Sequence, residues 1–421
     1  MSSLAEYRSW LVVEAADGFG MAAVTAKLLG DIGCTIARLD RQRVTADVAK
    51  GARVPAAAFV DDGDDADARA SELVSRGKHS VGIDYTDPTA IPALDSLLRA
   101  ANVLVVDREG LRQLQATLQT DDLRQRYPQL TVCSCTAFGL DGPLAAWSGG
   151  EEIVQAVSGI MSITGHPGSG PTRIAGAPLT HAAAMFAVTS IVADALGKRA
   201  GEPASLLDAC VYDAAIAFHS ASLPAYWLSG AAPALIGNRH SMAAPWNSFR
   251  CADGWAIICA GNHPNWVRLC ETIGRPDLLS DPRYATPGDR VANVETIDVE
   301  VTAWTQTRTV AEVEDLLNAG TIACGSVLSL ADVIAHPQFA ARGLMSARDS
   351  SRRQAGGVFN LDREPLDVCE APWRPGAGTR TVLVDCCHVR RADYERWLAA
   401  GAVFEAMSAD ETEETADAEA A

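Results

Sequence analysis

The first forty residues alternate between extended and helical patterns, and this alternation limits the fold more than any other feature. Residues 10–15 (WLVVEA) form an apolar run typical of a buried strand, and a Gly-rich turn follows them. Residues 21–30 carry apolar side chains at helical spacing, and residues 34–39 predict a second strand that ends at Asp40. A strand, a helix and a strand in this order favour a parallel sheet with helices on its faces.

The alternation continues to about residue 140, after which the pattern becomes mainly helical. An apolar helix is predicted at 181–196, and a hairpin around Asp253-Gly254 begins a smaller unit. We therefore predict an α/β fold, with a Rossmann-like doubly wound large domain and a smaller α+β domain. The expected bounds are 1–205 with 345–404 for the large domain, 225–335 for the small domain, 206–224 and 336–344 for linkers, and 405–421 for a tail.

The turn after the first strand carries the first chemical signal. Residues 18–23 (GFGMAA) fit G-x-G-x-x-G/A, and Asp40 lies 20 residues beyond Gly20. In a dinucleotide fold, such glycines let the backbone approach a pyrophosphate at a helix N-terminus, and the acid binds a ribose hydroxyl. A tight turn between strand and helix explains the same residues, so both interpretations stay open on this motif alone.

The charge balance narrows the classes of partner. The chain has 35 Lys and Arg against 53 Asp and Glu, a net charge of −18, which disfavours nucleic acid and anionic membranes. Residues 405–421 carry seven acids and no Lys or Arg, and we expect a disordered acidic tail there. The most apolar stretch, 182–193, is too short to span a bilayer, and the N-terminus lacks a signal-peptide pattern.

The cysteines fit the same picture. The chain has eleven, without a C-x-x-C pair, and the histidines do not fall at zinc-ligand spacings. We predict a cytoplasmic protein without a metal.

A set of short motifs resembles the family III CoA-transferases, which include formyl-CoA and carnitine CoA-transferases and the α-methylacyl-CoA racemases. Residues 76–84 (RGKHSVGID), followed by Asp87-Pro88, resemble that family's signature around R-G-K-R-S. Residues 32–40 (IGCTIARLD) and 137–143 (AFGLDGP) resemble two further motifs. The resemblance spans about residues 8–404, and it is specific because the motifs occur in family order.

The resemblance implies a large domain that binds CoA instead of NAD, and two chains that interlock as a dimer. CoA carries a 3′-phosphate and a pyrophosphate, so an acidic protein must place cations where these groups sit. By family position, Arg41 is expected near the adenosine phosphate, and Lys78 near the adenine or the phosphates. The full expected CoA site comprises Phe19, Gly20, Met21, Arg41, Lys78, Asp107, Arg108, Thr136 and Phe138.

The chain departs from the family where the nucleophile is expected. The transferases of this family use an aspartate carboxylate that attacks the donor thioester. The resemblance places His181 at that position, and no carboxylate occurs between Glu152 and Asp194. The glycine-rich lid is replaced by residues 241–245 (SMAAP), and the loop after the strand at 103–106 reads DREG. These three changes together predict an altered catalytic site.

His181 has three interpretations: a structural histidine in a degenerate site, a general acid or base paired with Glu151, or an acyl-accepting nucleophile. The main hypothesis is an aspartate-lacking subunit of a heteromeric transferase, as in succinyl-CoA:benzylsuccinate CoA-transferase. It would use acyl-CoA and a carboxylate as substrates, with an Asp-containing partner subunit. The alternatives are a stand-alone acyl-CoA racemase, isomerase or lyase that uses His181 and Glu151, and a non-catalytic CoA-binding protein.

Overall fold

A computed structural model of the chain describes residues 9–16, 18–40, 74–198, 202–343, 358–361, 364–365 and 375–406. Arg41, and the tail from residue 407 onward, lie outside these residues. The strands are β1 (Leu11–Ala15), β2 (Thr35–Asp40), β3 (His79–Gly82), β4 (Val103–Val106), β5 (Thr131–Thr136), β6 (Leu206–Cys210), β7 (Trp246–Arg250), β8 (Trp255–Cys259), β9 (Ala323–Ser326), β10 (Asn360–Leu361) and β11 (Glu364–Pro365).

The α-helices lie between these strands and after them. They are α1 (Met21–Asp31), α2 (Ile91–Ala100), α3 (Arg108–Leu118), α4 (Leu123–Arg126), α5 (Glu151–Val157), α6 (Ile160–Ile163), α7 (Pro178–Gly197), α8 (Val211–Ala217), α9 (Ser222–Ser229), α10 (His263–Thr272), α11 (Pro287–Ala292), α12 (Val294–Thr305), α13 (Val310–Ala319), α14 (Leu330–Ala335), α15 (Pro337–Ala341) and α16 (Arg391–Ala399). Short 3₁₀ segments occur at Pro88–Ala90, Pro276–Ser280 and Pro282–Tyr284, and one π-helical turn occurs at Thr381–Cys386.

The larger of two compact units contains a parallel six-stranded sheet. It takes in the described parts of residues 1–158, 175–221 and 343–421. The strand order is β3-β2-β1-β4-β5-β6, and every neighbouring pair is parallel. Strands β1, β4 and β5 are buried along their whole length, and for β1 and β4 this explains why their sequences read as nearly continuous apolar runs. The predicted α/β fold with a doubly wound sheet is confirmed.

This strand order has a switch point between β1 and β4, where ligands bind in doubly wound sheets, outside the carboxyl ends of the strands. Helix α3 begins directly against β1 at this point. A Cβ atom placed on Gly110 would lie 2.1 Å from the carbonyl oxygen of Ala15. Only a residue without a side chain allows this approach, and it brings the loops that follow β1 and β4 together.

Helix α7 is longer than its sequence pattern predicted. By length and composition it is apolar enough to cross a membrane, which corrects the expectation that no segment of the chain is. In the larger unit it packs against α1, α8 and β6, as the core helix of a globular domain does. Its outer face nevertheless exposes Met185, Phe186 and Leu196, which are 60%, 52% and 69% accessible.

The smaller unit comprises residues 159–174 and 222–342 and contains the antiparallel sheet β7-β8-β9. The hairpin predicted around Asp253 is formed by β7 and β8, with Phe249 opposite Ala256. Strand β9 pairs with β8. The stretch expected to start a linker at residue 206 begins instead with β6, the edge strand of the large sheet.

Candidate active site

The turn between β1 and α1 opens the candidate site. Gly18 has a φ of +68°, which favours glycine, and a Cβ atom on Gly18 or Gly20 would meet no other atom within 4 Å. Gly20 precedes α1 in an extended conformation and offers no side chain to cap the helix. Phe19 is half-buried, whereas the side chain of Met21 is buried. The backbone of this turn therefore faces open space, which suits the predicted contact with a ligand.

Lys78 lies inside the larger unit, against the first turn of α1. Its ammonium nitrogen is 2.5 Å from Glu14 Oε2 and donates to the Ala23 carbonyl at 2.9 Å. Burial lowers the pKa of Lys78, although the charge of Glu14 opposes that shift. The predicted contact with CoA stays a prediction, because the ammonium group is covered by α1.

Asp40, the acid of the dinucleotide motif, is also buried. Its Oδ1 lies 3.2 Å from Arg38 Nε, and its Oδ2 accepts a hydrogen bond from Ser80 Oγ. Both carboxylate oxygens are thus engaged within the fold. In an NAD site, the carboxylate of this acid accepts hydrogen bonds from the ribose hydroxyls, and here its oxygens are already used.

The ends of β4 and β5 place four predicted residues side by side. Asp107 caps α3 by accepting a hydrogen bond from the Gly110 amide at 2.7 Å. Arg108 Nη2 donates to the Gly139 carbonyl, and the Gly139 amide donates to Thr136 Oγ1 at 2.8 Å. Phe138 lies in the same loop. The structure therefore brings Asp107, Arg108, Thr136 and Phe138 together at one edge of the sheet.

Sequence reasoning missed residues that stabilise this loop. Asp208 Oδ2 accepts a hydrogen bond from the Leu140 amide at 2.9 Å. Trp147 lies edge-on to Phe138, with 6.4 Å between ring centroids, and Tyr212 contacts the same ring at 6.1 Å. Asp208 lies on β6, within the stretch 206–224 that was expected to be a linker, so its role in this loop was not foreseen.

His181 lies in the first turn of α7 and is exposed. Its Nδ1 is 2.8 Å from the carbonyl oxygen of Ala177. Because a carbonyl only accepts, Nδ1 carries the proton and the lone pair of the neutral ring is on Nε2. The ring centroid lies 6.1 Å from that of Phe19, so the turn before α1 lies close to the first turn of α7.

Glu151 is buried and binds the start of α7. Its Oε1 accepts from Gln155 Nε2 at 2.8 Å and from the Leu179 amide at 3.1 Å. Its Oε2 accepts from the amide and the hydroxyl of Thr180, both at 2.7 Å. Gln155 and Thr180 were not among the predicted residues, because their proximity to Glu151 depends on how α5 packs against α7.

Other nucleophiles and metal ligands are not assembled in this region. The thiol of Cys135, on β5, has a pKa well above the usual value because of its hydrogen bond with Cys133 and its burial. Such a thiol does not form the nucleophilic thiolate readily. Within the residues that the structure describes, no three His, Cys, Asp or Glu side chains are grouped to hold a metal.

The segment predicted to replace the lid, 241–245, is held firmly in the smaller unit. The Met242 amide donates to His240 Nδ1 at 3.1 Å, and the His240 ring stacks on Trp246 with 4.8 Å between centroids. The buried guanidinium of Arg290 donates from Nε to the Ala244 carbonyl at 3.0 Å. Arg290 also donates to the carbonyls of Gly261 and Tyr284, so it joins this segment to two others.

Comparisons with known proteins agree with this architecture. The model of CoA-transferase family III matches residues 10–381. The chain is similar to the acetyl-CoA:oxalate CoA-transferase of Acetobacter aceti, with 32% identity over 72% of this chain and 77% of that protein. It is also similar to the succinate–glutarate CoA-transferase of Agrobacterium fabrum, with 31% identity over 83% of this chain and 86% of that protein.

A solved structure has the same fold. The CAIB/BAIF family protein from Brucella suis superposes with a TM-score of 0.73 at 24% identity, over 89% of this chain and 97% of that one. The family match covers most of the chain, and the sheet order and the glycine turn fit it. The chain belongs to CoA-transferase family III.

Proposed function

We propose that this chain is the subunit of a family III CoA-transferase that lacks the nucleophilic aspartate, and that a partner chain supplies it. The complete enzyme would move CoA between an acyl-CoA and a carboxylic acid. One observation supports this proposal above the others. The first turn of α7, where the resemblance places the nucleophile, carries Thr180 and His181, and the carboxylate that reaches it, Glu151, is already fully hydrogen-bonded.

The chemistry of the transfer explains why this matters. A carboxylate oxygen attacks the thioester carbonyl and expels the CoA thiolate, which leaves a mixed anhydride. The thiolate then attacks the enzyme's carbonyl in that anhydride, and the first acid leaves as a carboxylate. The incoming acid recovers CoA by the reverse of these two steps. The attacking oxygen needs an accessible lone pair, and each Glu151 oxygen already accepts two hydrogen bonds.

The relatives suggest a class of substrate. Their names specify oxalate, glutarate and mesaconate as acids, with acetyl-CoA or succinyl-CoA among the CoA donors. We propose small CoA thioesters and short dicarboxylic acids for the complete enzyme. Arg108, a cation at the sheet edge, supports an anionic ligand there.

We further propose a cytoplasmic, interlocked homo- or heterodimer. The dimer is supported by the exposed apolar face of α7, which is formed by Met185, Phe186 and Leu196. Contiguous exposed apolar surface on a folded protein marks an interaction site more often than chance. Helix α9 of the smaller unit exposes Trp227 and Leu228 as well, at 73% and 90%.

The test is transfer by the purified chain, alone and after co-purification with its partner from the source organism. Acetyl-CoA and succinyl-CoA would be offered with oxalate or glutarate, and new CoA thioesters measured by mass spectrometry. We expect transfer only with an Asp-bearing partner. Robust CoA transfer by this chain alone would contradict the proposal.

One variant sharpens this test by restoring a carboxylate to the first turn of α7. His181→Asp places it at the position that the resemblance assigns to the nucleophile, on the exposed side of the turn. If the rest of the site is intact, this variant gains transfer activity without a partner. His181→Asn is the matched control, because it has the size of aspartate but no carboxylate.

A second candidate function is supported by the ring of His181. With Nδ1 bound to Ala177, the exposed Nε2 has the lone pair of a general base. A stand-alone racemase, isomerase or lyase would use it at the acyl α-carbon. Deuterium exchange at that carbon in D₂O, lost in His181→Ala, is the expected result; an absence of exchange would eliminate this function. If the chain binds CoA but catalyses neither reaction, the remaining alternative is a non-catalytic CoA-binding protein.

A further inference from the structure

We infer that Glu151 is a positioning residue: it caps α7 from a neighbouring helix and thereby fixes the turn that carries His181. This assignment differs from the acid–base role that the resemblance suggested for Glu151. The inference that Glu151 positions this turn depends on the proposed function in one respect only: that function makes His181 part of the site. The contacts that support it lie entirely within the larger unit.

The inference starts from the backbone donors at the start of α7. An α-helix leaves its first N–H groups without intrahelical partners. Ala177 at the N-cap forms no side-chain hydrogen bond, and Pro178 has no N–H. The amide of His181 already donates to Ala177 at 3.1 Å. The two donors that remain, Leu179 and Thr180, both donate to Glu151.

The rest of the carboxylate is occupied too. Gln155, which is fully buried one turn later on α5, donates to Oε1, and the Thr180 hydroxyl donates to Oε2. A carboxylate has about four acceptor positions, so these four bonds leave no free lone pair for a substrate proton. Glu151 is therefore suited to holding the helix and poorly suited to proton transfer.

The cap acts on His181 through the Ala177 carbonyl. The amide and Nδ1 of His181 both donate to that one oxygen, at 3.1 and 2.8 Å. The oxygen keeps its place only while the first turn of α7 is wound. Without the cap this turn frays, Nδ1 loses its acceptor, and nothing selects the tautomer that leaves Nε2 with the lone pair.

The experiment compares Glu151→Gln with Glu152→Gln. Both remove one negative charge from the start of α5, but the side chain of Glu152 is exposed, whereas that of Glu151 is buried against the start of α7. A carboxamide has one acceptor oxygen, so it cannot satisfy both amides and Thr180. Amide hydrogen exchange at Leu179 and Thr180 should accelerate roughly 10- to 100-fold in Glu151→Gln, the factor for losing a hydrogen bond to a charged group. Glu152→Gln should match the wild type.

A spectroscopic readout reports on His181 itself. With ¹⁵N-labelled histidine, the wild-type ring should show a protonated Nδ1, assigned by its loss in His181→Gln. In Glu151→Gln the signal should shift toward protonated Nε2. Thr180→Ser, which keeps the hydroxyl, should retain the wild-type signal, whereas Thr180→Val should shift part of the way.

Unchanged exchange and an unchanged tautomer in Glu151→Gln would overturn the inference. Loss of activity alongside those unchanged signals would assign Glu151 an acid–base role instead. Protected amides in β4 serve as the internal control for folding. Should Glu151→Gln fail to fold, Glu151→Asp gives the same readouts, because its shorter side chain cannot reach both amides. These measurements need no substrate, so a failed transferase assay leaves their result intact.

Discussion

Lys78 Nζ lies 2.5 Å from Glu14 Oε2, and the two side chains are 1% and 0% accessible. The pair connects β1 with the start of β3, and Lys78 also donates to the Ala23 carbonyl in α1. Within the described part of the chain, the second oxygen of Glu14 has no hydrogen-bond partner. A buried pair of this kind has a high desolvation cost, and removal of one partner leaves a charge without compensation.

We therefore expect Lys78→Met to lower the free energy of unfolding by about 3–5 kcal/mol, measured by urea denaturation. Arg112→Met is the control, because Arg112 pairs with Glu109 at the surface and should contribute little to stability. The double variant Glu14→Gln/Lys78→Met should recover part of the loss. A Lys78→Met cost no larger than that of Arg112→Met would contradict this account.

Gly110→Ala should destabilise the larger unit by about 1–3 kcal/mol, the usual cost of overpacking. The new Cβ atom would lie 2.1 Å from the Ala15 carbonyl, so the start of α3 must move. Because Arg108 is in that same turn, its hydrogen bond to Gly139 should weaken as well. Thermal unfolding measures the effect, and Gly197→Ala is the control because a Cβ there meets nothing within 4 Å. Equal melting temperatures for the two variants would count against a close contact at Gly110.

Asp194 should contribute stability that disappears in acid. Burial raises its pKa, but hydrogen bonds from Lys198, Ser205 and Thr131 outweigh burial and hold the pKa below its usual value. A folded pKa below the unfolded one means that the stabilisation is complete above the unfolded value, about 3.9, and is lost as the pH falls through the folded value. Asp194→Asn should therefore cost about 1–3 kcal/mol at pH 7.

The deficit of Asp194→Asn should shrink as urea titrations are repeated at pH values below 4. Glu395→Gln provides the comparison, since Glu395 forms an exposed pair with Arg391 and should contribute little to stability. A deficit for Asp194→Asn that stayed constant across this range would show that the charge is unimportant.

Phe186→Lys should weaken the assembly of the proposed dimer. Phe186 is 52% accessible on the apolar face of α7, and a buried lysine at an interface would be uncompensated. Light scattering after gel filtration gives the mass. Val299→Lys on α12 replaces another exposed apolar residue and should leave the mass unchanged. If both variants keep the wild-type mass, the α7 face is not part of the interface.

The sequence predicted the sheet well where strands are apolar throughout. The residues of β4, VLVV, were predicted with their observed bounds, and β1 was predicted to start one residue too early. Strand β9 was missed because ACGS has small residues and no alternation, and it is held by pairing with β8. The assignment of 159–174 to the smaller unit was likewise beyond local patterns, since it depends on contacts between distant segments.

From the family resemblance, Phe19, Asp107 and Thr136 were expected in one site, and the sheet explains this in part because the carboxyl ends of parallel strands share one edge. The burial of Lys78 was not, although the acid Glu14 inside an apolar strand signals a need for a buried cation. The contact of Glu151 with Thr180, 29 residues away, depends on helix packing that periodicity does not encode.

The turn at residues 240–246 has a consequence for binding energetics. Hydrogen bonds to His240 Nδ1 and to the Ala244 carbonyl, together with the stacking of His240 on Trp246, already order this turn. A molecule that settles against such a surface meets side chains that have little conformational entropy left to lose. Affinity at this turn would come from preorganisation. The side chain of Met242 is exposed and flexible, so it can change its rotamer to fit a bound molecule.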